Sequence, residues 1–433
     1  MDALIRPLPF DAAALRGLSA RLLSSHHQNN YGGAVRRLNA IRAQLAGTAF
    51  ATAPGYLLNG LKREELLATN SMLLHELYFA SLGGDGHTMA PAMTLALDAS
   101  FGSVERWREE FVACARALGG GSGWMLLVFQ PHDGTLVNQW AADHTNALAG
   151  GVPILALDLY EHAYHLDYGA AASPYVDACM ANLDWAGAYA RYQAAVQAAS
   201  DGCGAEQDDV ASALLLDVRR AGVFEGATSM IPGARWREEF VACARALGGG
   251  SGWMLLVFQP RDGTLVNQWA ADHTNALAGG VPILALDLYE HAYHLDYGAA
   301  ASAYVDACMA NLDWAGAYAR YQAAVQAASD GCGAAQDDVT NSLLLDVRRA
   351  GVFEGATSMI PGARWRDPAA IGQWAAELPR NRDVVVYCVY GHEVSRATAL
   401  RLRAAGINAR YLRGGLDGWQ SSGRPVAAKA GAR

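Results

Sequence analysis

The stretch "WREEFVACARALGGGSGWMLLVFQP" occupies Trp107–Pro131 and recurs letter for letter at Trp236–Pro260. Both occurrences belong to a longer repeat in which Arg106–Arg237 maps onto Arg235–Arg366 at an offset of 129 residues. Six positions differ: His132/Arg261, Pro174/Ala303, Glu206/Ala335, Ala211/Thr340, Ser212/Asn341 and Ala213/Ser342. Solenoid repeats run about 20–50 residues and recur at least three times, so a single copy of this size is a duplication and not a solenoid. Its joints share Arg-Trp-Arg, at 106–108, 235–237 and 364–366, as slippage between two such sites would leave. An assembly error mixing two related genes would leave the same trace.

Working outward, the chain before the repeat carries helical patterns around Ala12–Leu45 and Lys62–Leu82, separated by a loop containing "TAPG". Within each copy a "GSGWMLLVF" strand turns through "PHDG" (Pro-Arg-Asp-Gly in the second) into "TLVNQW", and "GGVPILALDLYEHAYHLDYG" and helices follow. The small, acidic run "ASDGCGAEQDDVAS" is a linker. Beyond the second copy, "LLLDV" and "DVVVYC" are buried-strand patterns alternating with helices, which is a parallel α/β signature.

The totals narrow the function classes. A chain of 433 residues with 52% hydrophobic content suffices for several ordinary cores. A net charge of −9 with no basic tract argues against nucleic acid or an anionic membrane as partner. The start "MDALIRPLPFDAAAL" lacks a signal-peptide pattern and no apolar run is long enough to span a bilayer, so the expected compartment is the cytoplasm. The seven cysteines do not make a disulfide framework, since six are three positions counted twice and only Cys388 stands alone.

Chemistry concentrates in two places. In "DLYEHAYHL", Asp158 and His162 are four apart, at a strand end and the turn after it. His26 in "SSHHQNNYGGAV" and His75 in "NSMLLHELYF" lie on the helical patterns. Three imidazoles and one carboxylate suit iron or manganese, and also zinc. The second place is "DVVVYCVYGHEVSRATALRLRAAG": a buried strand, Cys388 at its end, a glycine-containing loop and a helix whose N-terminus would lower the thiol pKa. A buried structural cysteine would fit the loop equally well.

"LPFDAAAL", the His-His helix, "LHELYFASLGG", "FGSVERWREEF", "GSGWMLLV" and "DLYEHAYHLDY" occur in the order seen in the iron/manganese superoxide dismutases, and residues 1 to about 195 resemble that family. The resemblance implies one iron or manganese ion per chain with His26, His75, Asp158 and His162 as ligands. It also implies superoxide as substrate, disproportionated to oxygen and peroxide, and a homodimer in which Glu161 bridges to a ligand histidine of the second subunit. His144 in "ADHTNAL" stands where the family usually has an outer glutamine. The usual gateway tyrosine is Ala34, the usual second histidine of that helix is Asn30, its tyrosine partner is His165, and Tyr160 replaces a common tryptophan. "LLLDVRRAGVFEGATSMIPGARW" and "ARYLRGGLDGWQSSGRPV", flanking the cysteine loop, resemble a rhodanese domain over 341 to about 427. That likeness makes Cys388 the persulfide carrier for a sulfur donor such as thiosulfate, with Asp346 and Arg348 structural and His392 and Glu393 shaping the loop. The loop arginine of the related dual-specificity phosphatases is Val394 here, which removes phosphate chemistry.

The expected organisation is multidomain. A helical hairpin (1–85) plus α+β copy one (86–197) precedes a linker with a truncated rhodanese start (198–236). Copy two (237–326), a linker (327–340) and an α/β rhodanese-like domain with a parallel sheet (341–427) follow. Copy two has no hairpin of its own, and loop-closure entropy favours the shorter connection, so the hairpin should serve copy one. Asp287, His291 and His273 are then a vacant half-site, on a domain with an apolar face in need of cover. Two readings compete with a two-activity enzyme: a metal- and sulfur-binding protein with little dismutase turnover, and a duplicated, partly misfolded product.

Overall fold

The computed structural model describes residues 2–118, 122–201, 236–247, 252–298, 300–339 and 342–429. The expected truncated rhodanese start falls almost wholly outside them. The N-terminal hairpin consists of α1 (Ala20–Ser25), a π-helical turn (His26–Tyr31), α2 (Gly32–Ala46) and α3 (Gly55–Ala80). Its first helix begins later than the apolar spacing suggests, at Ser19, whose side chain caps Leu22 N–H. Its last begins earlier, directly after Pro54, which sits extended at the N-cap.

Copy one continues with α4 (Pro91–Phe101), α5 (Val104–Ala117), β1 (Trp124–Gln130), β2 (Thr135–Ala141), β3 (Val152–Asp158), α6 (Ala172–Ala181) and α7 (Trp185–Asp201). The three strands form an antiparallel sheet in the order β2-β1-β3, with Trp124 opposite both Ala141 and Asp158. The glycine of "GSGW" is obligatory at this corner. Gly123 has φ +150°, and a Cβ there would stand 2.2 Å from the Ala141 carbonyl oxygen.

Copy two repeats this with α8 (Trp236–Leu247), β4 (Trp253–Gln259), β5 (Thr264–Ala270), β6 (Val281–Asp287), α9 (Ala301–Ala310) and α10 (Trp314–Ser329). Its register is the same to the residue, including the irregularity at Leu256/Val257 that answers Leu127/Val128. Identical sequence gives identical local structure; what differs is the surroundings.

Copy two packs on the opposite side of the hairpin, against α3 through α8 and β5. Helix α3 is therefore buried on nearly every side, which accounts for polar residues such as Lys62, Glu65 and Asn70 lying inside. Each is partnered. Lys62 Nζ lies 2.5 Å from Glu65 and 2.9 Å from Glu239, and Asn70 exchanges two 2.8 Å hydrogen bonds with the backbone at Ala276 and Ala278. Part of the surface expected to lack cover is thus covered from within the chain. The copies also meet one another reciprocally. Ala147 N–H donates to Thr274 O and Ala276 N–H to Thr145 O, both at 3.2 Å, while Asn146 and Asn275 each donate to the other segment's threonine hydroxyl.

The C-terminal domain holds β7 (Gly333–Ala334), β8 (Leu343–Asp346), β9 (Arg364–Trp365), β10 (Val384–Tyr387), α11 (Glu393–Ala404), β11 (Ala409–Leu412) and α12 (Gly415–Ser421). The sheet runs β9-β8-β10-β11-β7, and its pairings are parallel. Residues 327–340 are therefore not simply a linker, because 333–334 supply the sheet's edge. Two small residues carry no alternating pattern, so only tertiary pairing reveals them. One apolar core runs through the hairpin and both copies to Ala397 and Leu400 of α11, while two smaller clusters flank the parallel sheet.

One of the six differences between copies lies at the junction. Arg261, where copy one has His132, grips Glu76 of α3 bidentately at 2.9 and 2.6 Å, with both side chains about one-tenth exposed. Arg261→His should lower unfolding stability by about 1.5–3 kcal/mol, as for a charged hydrogen-bonded pair. Glu76→Gln should cost a similar amount, and the double variant less than the sum, in a urea-unfolding cycle.

Candidate functional site

His26 begins the π-helical turn, where the wider i→i+5 winding brings residues five apart towards one face. His26 and Tyr31 are accordingly both buried, at 1% exposure each. His75 lies near the end of α3. Its Nδ1 stands 2.6 Å from the Ser71 carbonyl, which can only accept, so Nδ1 carries the proton and Nε2 presents a lone pair. Asp158 ends β3. Its Oδ1 accepts the Tyr160 N–H at 2.9 Å, which orients the carboxylate, and its backbone carbonyl accepts the Tyr175 hydroxyl at 2.7 Å, which anchors the strand end. His162 follows on the 3₁₀ turn Glu161–Ala163.

The remaining oxygen, Asp158 Oδ2, faces three imidazoles: His26 Nε2 at 3.1 Å, His162 Nε2 at 3.2 Å and His75 Nε2 at 3.5 Å. The four potential ligand atoms all lie within 4.8 Å of one another. Burial pushes His26 down, against the raising effect of Asp158, and burial together with His26 pushes His75 down to about 3. Burial alone would raise Asp158, but His162 and His26 hold it well below the usual carboxylate range. The neutral imidazoles of His26 and His75 and an ionised carboxylate therefore converge with His162 in a largely buried site, and His75 Nε2 has no hydrogen-bond partner. Such a donor set fits a cation, and its nitrogen and oxygen atoms fit iron or manganese.

His144 stands beside this cluster. Trp124 Nε1 donates to its Nδ1 at 2.9 Å, so the proton of the neutral ring is on Nε2. The ring stacks on Tyr160 at 4.7 Å and lies 6.0 Å from His75 between centroids, and burial lowers its pKa. Ala34 is buried, at 8% exposure, and Tyr31 instead donates to Glu76 at 2.8 Å. Glu161 and His165 are exposed, and the His162 side chain keeps 27% of its surface open.

Among the described residues the second copy assembles no comparable cluster. His291 lies 3.3 Å from Asp287, but its side chain is 71% exposed, and His273 Nδ1 instead meets the Tyr289 hydroxyl at 3.1 Å. None of these residues approaches a hairpin histidine.

Cys388 follows β10 directly and is 6% exposed, with Sγ 3.2 Å from Ser395 Oγ. The loop from 388 to 392 leads into α11. Gly391, at φ +75°, is hemmed in so that a Cβ would stand 2.6 Å from Leu412 O. Leu416 N–H and Asp417 N–H hold the carbonyls of Cys388 and Val389 at 3.0 and 2.9 Å. Beneath the loop, Arg348 and Asp346 form a buried bidentate pair that also receives the Tyr387 hydroxyl, a structural arrangement. His392 occupies the N-cap of α11, while Glu393 is held by Tyr318 of copy two at 3.0 Å and by Arg349 at 3.7 Å. The six cysteines among the described residues are free.

Sequence reading missed the groups behind the cluster: Tyr175 under Asp158, and Glu76 with Arg261 beside His75. Only the Arg261/His132 mismatch offered a signal.

Comparison with known proteins bears on all of these features. A model of the C-terminal domain of iron/manganese superoxide dismutases matches twice, over 89–191 and 232–320, and a rhodanese-like domain model matches over 331–422. An iron superoxide dismutase of Cupriavidus metallidurans is 61% identical over 193 residues, spanning 45% of this chain and 98% of that protein. A manganese superoxide dismutase of Halobacterium salinarum is 37% identical over 201 residues (44% and 95%), and an iron superoxide dismutase of Aquifex pyrophilus 32% over 192 (42% and 88%). The chain belongs to the iron/manganese superoxide dismutase family, with that family's C-terminal domain present twice and a rhodanese-like domain joined to it.

Proposed function

We propose that the chain is a superoxide dismutase with one iron or manganese site, formed by His26, His75, Asp158 and His162, and a sulfurtransferase centred on Cys388. The observation that carries the first part is the convergence of three imidazole nitrogens on Asp158 Oδ2 in a buried pocket. When bound, the metal supplies one-electron redox chemistry, by which one superoxide is oxidised to oxygen and another reduced to hydrogen peroxide. Asp158 offsets part of the cation's charge; the Tyr160 N–H holds that carboxylate and Tyr175 anchors the main chain that carries it. Ser71 fixes the His75 tautomer so that Nε2 faces inward. His144, oriented by Trp124, holds a proton at Nε2 beside the site, where the reduced product requires one. Glu161 and the open edge of His162 provide a face for a homodimer. Among the described residues no helix is long and apolar enough to cross a membrane; the cytoplasm is the compartment we assign.

In the C-terminal domain the Cys388 thiolate attacks the sulfane sulfur of a donor such as thiosulfate and sulfite departs. The persulfide then passes its outer sulfur to a nucleophilic acceptor, which restores the thiolate. Ser395 at 3.2 Å supplies a hydrogen bond to the sulfur. A second reading, a metal- and sulfur-binding protein with little dismutase turnover, draws on Ala34, which places a methyl group where the family usually has a tyrosine.

Purified protein loaded with iron or manganese should hold close to one ion per chain. His75→Ala should lose both the metal and superoxide dismutation, while His291→Ala should retain both, as read by metal analysis and a superoxide assay. Equal dismutation by His75→Ala would overturn the assignment; normal metal content with negligible dismutation in the parent protein would favour the second reading. Cys388→Ser should lose thiosulfate:cyanide sulfur transfer and keep full dismutase activity.

A further inference from the structure

Where the hairpin, copy two and the C-terminal domain meet, they line a partly open cavity of about 690 Å³. That volume lies within the range of small-molecule sites. Its lining includes the apolar side chains of Leu45, Phe50, Leu265 and Ala404. The rest carries four cations, three of them paired. Lys62 meets Glu65 and Glu239, Arg261 meets Glu76, and Arg42 lies 3.8 Å from Glu65 and 4.0 Å from Asp262.

Arg401 is different. It reaches the cavity from α11 and is only 3% exposed, yet its Nε and Nη1 are buried with no hydrogen-bond partner. Burial pushes its pKa down to about 10, against the raising effect of Asp262, whose carboxylate is engaged by Arg42. A guanidinium has five donors in a planar fork suited to a carboxylate, and leaving them unmade inside a protein is costly.

We propose that this cavity binds a small organic monoanion, a carboxylate on a compact apolar body, with the carboxylate on Arg401 and the body against Phe50, Leu265 and Ala404. A single unpaired buried cation calls for a single negative charge, and a dianion would face Glu65, Glu239, Asp262 and, on the exposed side, Asp2, with nothing left to neutralise its second charge. The site exists because of the duplication, since α8 and the β4–β5 turn of copy two form one side of it.

The test is calorimetric titration of the full-length protein with benzoate, and with benzamide as its neutral counterpart of the same shape. Benzoate should bind and benzamide should not. Arg401→Gln should weaken benzoate by about tenfold or more. Ala404→Phe, which keeps the guanidinium and fills the apolar side, should abolish binding, so the result does not hang on one variant folding. No benzoate binding to the parent protein, equal binding of benzamide, or unchanged affinity in both variants would each overturn the proposal.

Discussion

Asp158 Oδ2 is the point on which the first half of the chain depends. Three imidazoles from a π-helical turn, a long helix and a 3₁₀ turn meet one carboxylate oxygen: His26 and His162 reach it at hydrogen-bond distance, whereas His75, its proton held on Nδ1, sets the Nε2 lone pair against a buried negative charge. Everything around the cluster serves to hold that arrangement. The Ser71 carbonyl orients His75, the Tyr160 N–H and Tyr175 hydroxyl restrain Asp158, and Gly123 allows the sheet corner that places Trp124 opposite it. The site is a shared product of hairpin and sheet, so neither part can form it alone.

This dependence explains the contrast between two domains of nearly one sequence. Copy two folds to the same register and even brings His291 to Asp287, yet its half-site stays open to solvent because the hairpin histidines are committed to copy one. Its packing surface is used in another way. It covers the far side of α3, and Arg261 gives that junction an ion pair which His132 could not supply in the same bidentate form. Tyr318 of the same copy reaches Glu393 at the start of the helix that follows Cys388. The extra domain thus lies between the two chemical sites and touches the neighbourhood of each.

Much of this was legible in the sequence because the decisive signals are local. The "GSGW" corner, the Asp-x-x-x-His spacing of Asp158 and His162, and the strand-cysteine-loop-helix pattern at 384–404 each specify a backbone geometry within a few residues. The hairpin histidines were legible by resemblance, though not the π winding that turns His26 inward, since i→i+5 bonding has no distinct apolar period. The β7 edge strand was not legible because its two small residues show themselves only by pairing with β11, and the buried Lys62, Glu65 and Asn70 were not because they are covered only once copy two docks. Polar residues on a helix read as a solvated face until a second layer is known. Arg401 escaped notice for the same reason: on α11 it is one arginine among several, and its burial is a property of three domains together.

The reciprocal contact between Thr145–Ala147 and Thr274–Ala276 has a consequence of its own. It is an isologous pairing of the kind found at two-fold interfaces, but both halves are on one polypeptide. Covalent connection replaces a bimolecular encounter with an intramolecular one. Dilution cannot separate the two copies, so these two backbone and two amide–hydroxyl bonds, together with the packing of α7 on α10, persist at any protein concentration.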